Sequence, residues 1–479
     1  MAHARVTTRI RLQHHPLFSE PPAPRAFAAA VLAAAIALLA AAAAAGVTVR
    51  GAPLAKPACV NEFPSEPLCR FVDDLAAAPR VEVDASTGRT IRIGAYQIYQ
   101  KLHRDLPPTK LYAYGPNERT AHYPGPTLVA RRGIATKVRW KNHLRDRAHM
   151  FAVDYTLMDV AHPKRGSIPI GMAAATLWYH DHAVGITWLN VAAGMAGLYV
   201  LTDPKGVERK LRTQLPGAEF TVPLAISDRS FFANGSIDYP SGGWEPEYLG
   251  NTILVSGLVW PFLAVRRARY RFRVLGAASS RFFNLRFVCA APSNYPDFTL
   301  PITGDVLPIV QIGTDGGYLP RPVIRSSLLL APGERHDILV DFASLPASCA
   351  DVILTNKRGS NDTGVVMRFI VDSMGAVVPS PPVPKKLVSL PKLHLSCVSK
   401  ERWMTAVRVN SSITFDGHGF SYAPTETPKR LLHRGGEQRA CEILVPVLPS
   451  SDFRGAAYNA FSIGTEHEDN DMMRPLIAT

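Results

Sequence analysis

The sequence predicts an all-β protein built from more than one domain. Three observations carry this. The 40 prolines and 34 glycines of the 479-residue chain are spread between short β-rich runs, a pattern of many turns and mainly antiparallel sheet rather than long helices. Runs such as RYRFRVL alternate apolar and polar positions, with Tyr270, Phe272 and Val274 directed to one inward face. With 47% hydrophobic and 19% charged residues, the chain has apolar material for two or three cores.

Taken in order, residues 1–25 form a basic tail containing Arg5, Arg9, Arg11 and Arg25 against the single acid Glu20. An apolar run follows from Ala26 to Val49, long enough to cross a bilayer, and the upstream arginines would hold the N-terminus in the cytosol. It reads as a signal anchor; the small residues Ala43 to Gly46 also suit a cleaved signal peptide. Either reading sends the rest into the secretory pathway, to the endoplasmic reticulum membrane, the cell wall or the exterior. Residues 50–79, rich in proline, read as a stalk, 80–218 as a first β domain and 219–372 as a second. Residues 373–479 open with the linker SMGAVVPSPPVPK and continue as a fragment of a third domain, with too few strand signals to close a sandwich.

Three acceptor sequences, Asn234-Gly-Ser, Asn361-Asp-Thr and Asn410-Ser-Ser, fit a lumenal location. Six cysteines allow one to three disulfides there, with pairing left open. The net charge of +14 is dispersed and lacks an aromatic-interleaved basic motif, so no nucleic-acid partner is expected. Attraction to an acidic wall matrix or an anionic membrane accounts for the same charge.

The sharpest chemical signal is TLWYHDHAVGITWLNVAAGMAGLYVLTDP, residues 176–204. On a strand, His180 and His182 point to one face and Asp181 to the other, so two imidazoles stand side by side, an arrangement that suits copper or zinc. A bare His-x-His is more often a surface loop than a metal site. Here Trp178-Tyr179 before it and the Gly-rich run behind it favour the metal reading.

WYHDHAVGIT followed by AGMAGLYVLTD resembles the second copper motif of multicopper oxidases, above all bacterial spore-coat laccases and plant Low Phosphate Root proteins. The resemblance extends to FVDDL at Phe71, KLHRDLPPTKLYAYG at Lys101, YPGPTLVARRG at Tyr123 and KNHL at Lys141. It continues through WPFLAVRRARYRFRVL at Trp260 to HEDNDMMRP at His467. It implies tandem cupredoxin-like Greek-key sandwiches, a type 1 copper that accepts electrons, and a three-copper cluster that reduces dioxygen to water, four coppers in all. His180 and His182 match histidines of the type 3 pair, His467 the last type 1 histidine and Met472 its axial ligand. The expected substrates are ferrous iron, linked in plants to the root response to phosphate starvation, or phenolics.

Much of the ligand set is absent from the sequence. IPIGMAAATLW stands where the resemblance calls for HxHG, no HxxHxH lies between Pro428 and Asn459, and AFSIGTE replaces the His-Cys-His before His467. Cys441 has no flanking histidines and does not replace the thiolate. His143, His149 and His162 read as solvated loop residues. The abrupt joins at 170–175 and 460–466 are what skipped exons or a splice form would leave. A second expectation therefore stands beside the oxidase: a catalytically impaired metal-binding or partner-binding remnant. A third is that the incomplete last domain prevents stable folding. Asp315, in IGTDGGYLP, reads as a turn aspartate, with an iron-binding acid as the alternative.

Overall fold

Strand formation follows the sequence's short β-branched and aromatic runs. A computed structural model describes residues 68–134, 136–144, 173–181, 187–239, 248–291, 301–346, 349, 351–372 and 374–389, together with the backbone of four short strands elsewhere. All lie in the compact unit of residues 54–479. The apolar run 26–49 lies outside the described residues, as do His182, His467 and Met472. Among the described residues no helix is long and apolar enough to cross a membrane.

The chain opens with β1 (Cys59–Val60) and β2 (Leu68–Cys69), a two-stranded ladder whose register sets Cys59 opposite Cys69. Next come β3 (Glu82–Asp84), β4 (Thr90–Gln100), β5 (Thr109–Gly115), β6 (Gly125–Arg131), β7 (Lys137–Asn142), β8 (Arg165–Gly166), β9 (Ala175–His180) and β10 (Ala196–Thr202). They form two four-stranded sheets, ordered β3-β6-β10-β9 and β5-β4-β7-β8. Between these sheets lies a core that includes Ile93, Tyr112, Tyr114, Leu128, Met195 and Tyr199.

The second part contains β11 (Thr221–Arg229), β12 (Thr252–Val255), β13 (Leu258–Val259), β14 (Phe262–Val265), β15 (Arg269–Gly276) and β16 (Phe283–Cys289). It continues with β17 (Ile309–Thr314), β18 (Gly317–Arg325), β19 (Leu328–Leu330), β20 (Arg335–Asp341), β21 (Asp351–Asn356) and β22 (Val365–Val371). Seven strands join as β13-β12-β11-β15-β20-β17-β18 and five as β14-β22-β21-β16-β19. A last hairpin pairs β23 (Ala406–Val409) with β24 (Ser412–Phe415). Antiparallel pairs predominate, as the turn-rich sequence predicts. The parallel pairs β3/β6, β6/β10, β4/β7, β11/β15 and β14/β22 come from strands that return by long connections.

The second pair of sheets closes on a knot of phenylalanines. Phe272 is wholly buried and its ring lies 5.4 Å from Phe369 and 5.9 Å from Phe287. Phe342 packs 5.4 Å from Phe369 on the other side. Offset and edge contacts at these spacings add to the gain from area removed from water. A disulfide between Cys289 and Cys349 ties the end of β16 to the loop before β21 across 60 residues, one of the pairings left open by the sequence. Cys69 is also disulfide-bonded.

One sequence reading needs correction. The segment read as a stalk, 50–79, is packed from Leu68 onward. Leu68, Phe71 and Leu75 enter the same apolar core as Trp260 and Phe272. The Phe71 amide donates to the Trp260 carbonyl at 2.8 Å, and the Phe262 amide donates to the Asp73 carbonyl at 2.9 Å. Apolar residues at positions 68, 71 and 75, on an irregular strap, cover the edge of the second sheet pair. In β15 the expected inward row is present. Tyr270, Phe272 and Val274 do face inward, yet the intervening Arg271 and Arg273 are also buried, at 7% and 8% exposure. Both faces of this strand are covered.

Phe272→Ala should lower unfolding free energy by about 3–5 kcal/mol, the usual range for deleting a buried aromatic ring. Urea denaturation followed by far-ultraviolet circular dichroism will show this as a shifted midpoint with an unchanged slope.

Candidate metal site

The site strand is β9, whose sequence ATLWYH alternates two different environments. Leu177 and Tyr179 turn toward the first core. The Tyr179 hydroxyl donates to the Pro126 carbonyl at 2.7 Å, and its ring sits 5.4 Å from Tyr114 and 5.3 Å from Trp140. β10 lies antiparallel alongside, with Tyr179 opposite Gly197 and His180 opposite Ala196. A Cβ at Gly197 would strike the Tyr179 ring. The glycine of AGMAGLY is therefore required by the tyrosine of WYHDH.

Thr176, Trp178 and His180 occupy the other face, in accord with the two-residue period. Trp178 packs with Leu198, Ala225, Leu275 and Ala277, so this row looks toward the second pair of sheets. The His180 ring stacks on Trp178 with centroids 4.1 Å apart and planes at 27°. Its Nδ1 lies 2.6 Å from the Asp181 carbonyl oxygen. A carbonyl can only accept, so Nδ1 carries the proton and the imidazole lone pair stands on Nε2, the atom that would bind a metal.

Asp181 points the opposite way, as the sequence predicts. It is buried, and Oδ2 accepts from Asn190 Nδ2 at 2.6 Å. Asn190 belongs to the short helix Thr187–Ala192. The end of that helix is held by Arg229 of β11, which donates to the carbonyls of Ala192 at 2.6 Å and Val191 at 3.0 Å. A cation on the last carbonyls of a helix satisfies groups that have no intrahelical partner. The histidine strand is thus anchored on both sides of the segment 182–186.

A buried ionic group that the sequence reading missed secures the start of β9. Arg271 and Arg273 of β15 converge on Asp337 of β20, Arg271 through Nε at 2.8 Å and Arg273 through Nη1 at 3.5 Å. Arg273 Nη1 also donates to the Thr176 hydroxyl at 2.6 Å, and Arg335 Nε donates to the Thr176 carbonyl at 3.2 Å. The Tyr318 hydroxyl accepts from Arg271 at 2.8 Å and donates to Glu208 at 3.0 Å. Burial pushes the Asp337 carboxyl up, but Arg271 and Arg273 outweigh it, and the net effect holds it below the ordinary carboxylate range. Burial pulls Arg273 down from its usual value, with Arg271 beside it adding to the effect.

Asp315 is a structural turn residue, as the simpler reading holds. It accepts from the Arg335 amide at 2.7 Å and pairs with the Arg335 guanidinium at 3.4 Å. Burial raises its carboxyl pKa against the opposing effect of Arg335. Among the described residues no group of three or more His, Cys, Asp or Glu side chains could hold a metal ion. His180 is the one predicted ligand within them, because His182, His467 and Met472 lie outside.

No family model matches the chain. Curated relatives do. Multicopper oxidase LPR1 of Arabidopsis thaliana is 34% identical over 429 residues, covering 75% of this chain and 70% of the relative. The laccase of Bacillus subtilis (strain 168) is 34% identical over 386 residues, covering 68% and 70%. Multicopper oxidase LPR2 of Arabidopsis thaliana is 36% identical over 406 residues, covering 71% of this chain and 66% of its own length, just under two thirds. Among solved structures, the McoA multicopper oxidase of Aquifex aeolicus superposes with a TM-score of 0.58 at 22% identity, covering 73% and 74% of the two chains. That likeness shows the fold, the cupredoxin-like β architecture that the resemblance implies.

Asp337→Ala would leave Arg271 and Arg273 buried without their shared counter-charge. A loss of about 3–5 kcal/mol is expected from urea unfolding at neutral pH. Because the folded pKa of Asp337 is depressed, its contribution is present above the unfolded carboxylate range and is lost as pH falls through the folded value. Asp337→Asn should therefore flatten the acid side of the stability profile, measured as unfolding midpoint against pH.

Proposed function

The chain belongs to the multicopper oxidase family, and from that premise we propose that it is a copper-dependent oxidoreductase that takes electrons singly from ferrous iron or a phenolic and delivers them to dioxygen. The observation that carries the proposal is the oriented His180 imidazole on a strand locked between two pairs of sheets. Relatives named laccase and bilirubin oxidase support an organic reductant. Ferrous iron, and a role in the root response to phosphate starvation, rest on the resemblance to Low Phosphate Root proteins.

Copper, when bound, supplies reversible one-electron chemistry that no side chain offers alone. The fit to it is local. At His180 the fixed tautomer and the stacked Trp178 suit a soft, imidazole-binding ion. His182 would be its neighbour, and His467 with Met472 would form the remnant of a second site. Around them the chain lacks the HxHG, HxxHxH and His-Cys-His motifs, so no catalytic step is assigned to a copper cluster here. What the protein's own residues do is clearer. Tyr179, Gly197 and Thr176 hold the strand, and Trp178 screens one side of the imidazole from water.

The missing motifs favour a second reading, a metal-binding or partner-binding remnant without oxidase turnover. In both readings the folded part is placed in the endoplasmic reticulum membrane, the cell wall or the exterior, with residues 26–49 as membrane anchor or signal peptide.

The purified full chain, loaded with copper, separates the two. The oxidase reading expects oxygen uptake with ferrous iron or a phenol, measured at an oxygen electrode. Copper bound in full complement and reduced by substrate would exclude the remnant, whereas no uptake with either reductant would exclude the oxidase. In either case His180→Ala should weaken copper binding about tenfold or more by isothermal titration.

A further inference from the structure

Among the exposed large apolar side chains is Phe232, at 47% exposure, just beyond β11. It begins the run Phe232-Ala233-Asn234-Gly235-Ser236, which reverses the chain between the bridged residues Phe231 and Ile237. The Gly235 amide donates to the Phe232 carbonyl at 2.8 Å, and the Phe232 amide donates to the Ser236 carbonyl at 2.8 Å. Gly235 has φ +83°. This is a tight turn closed by a left-handed bulge residue, a hairpin end that requires glycine at that position. Asn234 stands exposed at its tip.

Asn234-Gly235-Ser236 is an acceptor sequence for N-linked sugar. Asn234 Oδ1 accepts from the Ser236 amide at 2.9 Å and from the Ser236 hydroxyl at 2.6 Å. Two donors on the amide oxygen polarise the carboxamide and hold the hydroxyl beside the reacting group. The acceptor sequence at Asn361 is committed elsewhere. Its Asp362 is buried in an ion pair with Arg70, and its Thr363 hydroxyl is engaged by Ser360 in a helix cap.

We propose that Asn234 carries an N-linked oligosaccharide whose first sugar lays a C–H face on the Phe232 ring. In the transfer, Asn234 Nδ2 forms a bond to the anomeric carbon of a lipid diphosphate-linked oligosaccharide. The bond from that carbon to the diphosphate oxygen breaks, its electron pair leaves with the diphosphate, and Nδ2 loses one proton to a base. The electron-rich face of an aromatic ring attracts the partly positive C–H groups of a pyranose, which accounts for an apolar ring left in water two residues before the acceptor. The proposal rests on the secretory reading made above, which the Cys289–Cys349 disulfide also suits.

The test is translation of the full chain with microsomes from the endoplasmic reticulum, then glycosidase digestion and peptide mapping by mass spectrometry. A sugar on Asn234 that disappears in Asn234→Gln and persists in Asn361→Gln is the expected result. Sugar on Asn361 or Asn410 with Asn234 bare overturns the proposal while the secretory reading stands. A chain bare at all three positions and open to added protease sinks the secretory reading and the proposal with it. For the stacking, glycosidase treatment should lower the melting temperature by about 2 °C in the parent chain and leave Phe232→Ala unchanged. Equal drops in both would overturn the assignment of Phe232.

Discussion

Two guanidiniums buried on one strand, sharing a single carboxylate, constrain the rest of the described structure. Arg271 and Arg273 lie on the face of β15 opposite the phenylalanine core and meet Asp337 from the neighbouring strand β20. A buried ion pair of this kind is a weak source of net stability, because desolvation offsets much of the attraction. Its effect is on specificity. Beyond Asp337, the remaining guanidinium donors need acceptors, and Thr176, the Tyr318 hydroxyl and the more distant Glu208 carboxylate supply them. Any other placement of β9 would take the Thr176 acceptors away from the Arg273 and Arg335 guanidiniums.

From that anchor the position of the His180 face follows by strand geometry. Side chains two and four residues beyond Thr176 must share its face, so Trp178 and His180 are presented on the row that Arg273 and Arg335 hold at its origin. The opposite row is fixed independently by the Tyr179 ring on Gly197. The strand cannot slip by one residue without placing histidine in the aromatic core and tyrosine against the second pair of sheets.

Much of this was legible in the sequence, and the illegible part has a common cause. The all-β class, the inward row of β15 and the placement of His180 and Asp181 on opposite faces follow from local alternation, which a sequence displays directly. Burial of Arg271 and Arg273 could not be read locally, since arginine is ordinarily exposed and Asp337 lies 66 residues from Arg271. The alternation RYRFRV did contain a clue, three arginines, Arg269, Arg271 and Arg273, spaced to share one face of a strand whose other face is apolar. The packing of Leu68, Phe71 and Leu75 was hidden because an irregular strap has no period. Disulfide pairing was hidden because it depends on tertiary proximity across 60 residues.

The separation between what holds β9 and what would hold copper bears on how ligands can be absent from a chain that keeps the fold. His180 is oriented by Trp178 and the Asp181 carbonyl, and neither contact depends on a metal. The strand is fixed by Thr176, Tyr179 and the helix that Arg229 holds. Metal binding adds stability only in proportion to its preference for the folded state, and here the supporting contacts are already complete around the imidazole. Substitution or deletion of distant ligands therefore removes chemistry without removing the strand's reasons to fold. In small metal-dependent domains the ion itself closes the core and ligand loss unfolds the chain. The sandwiches described here place their apolar closure in the phenylalanine knot and their register in a buried ionic group. The face that carries His180 is a passenger on both.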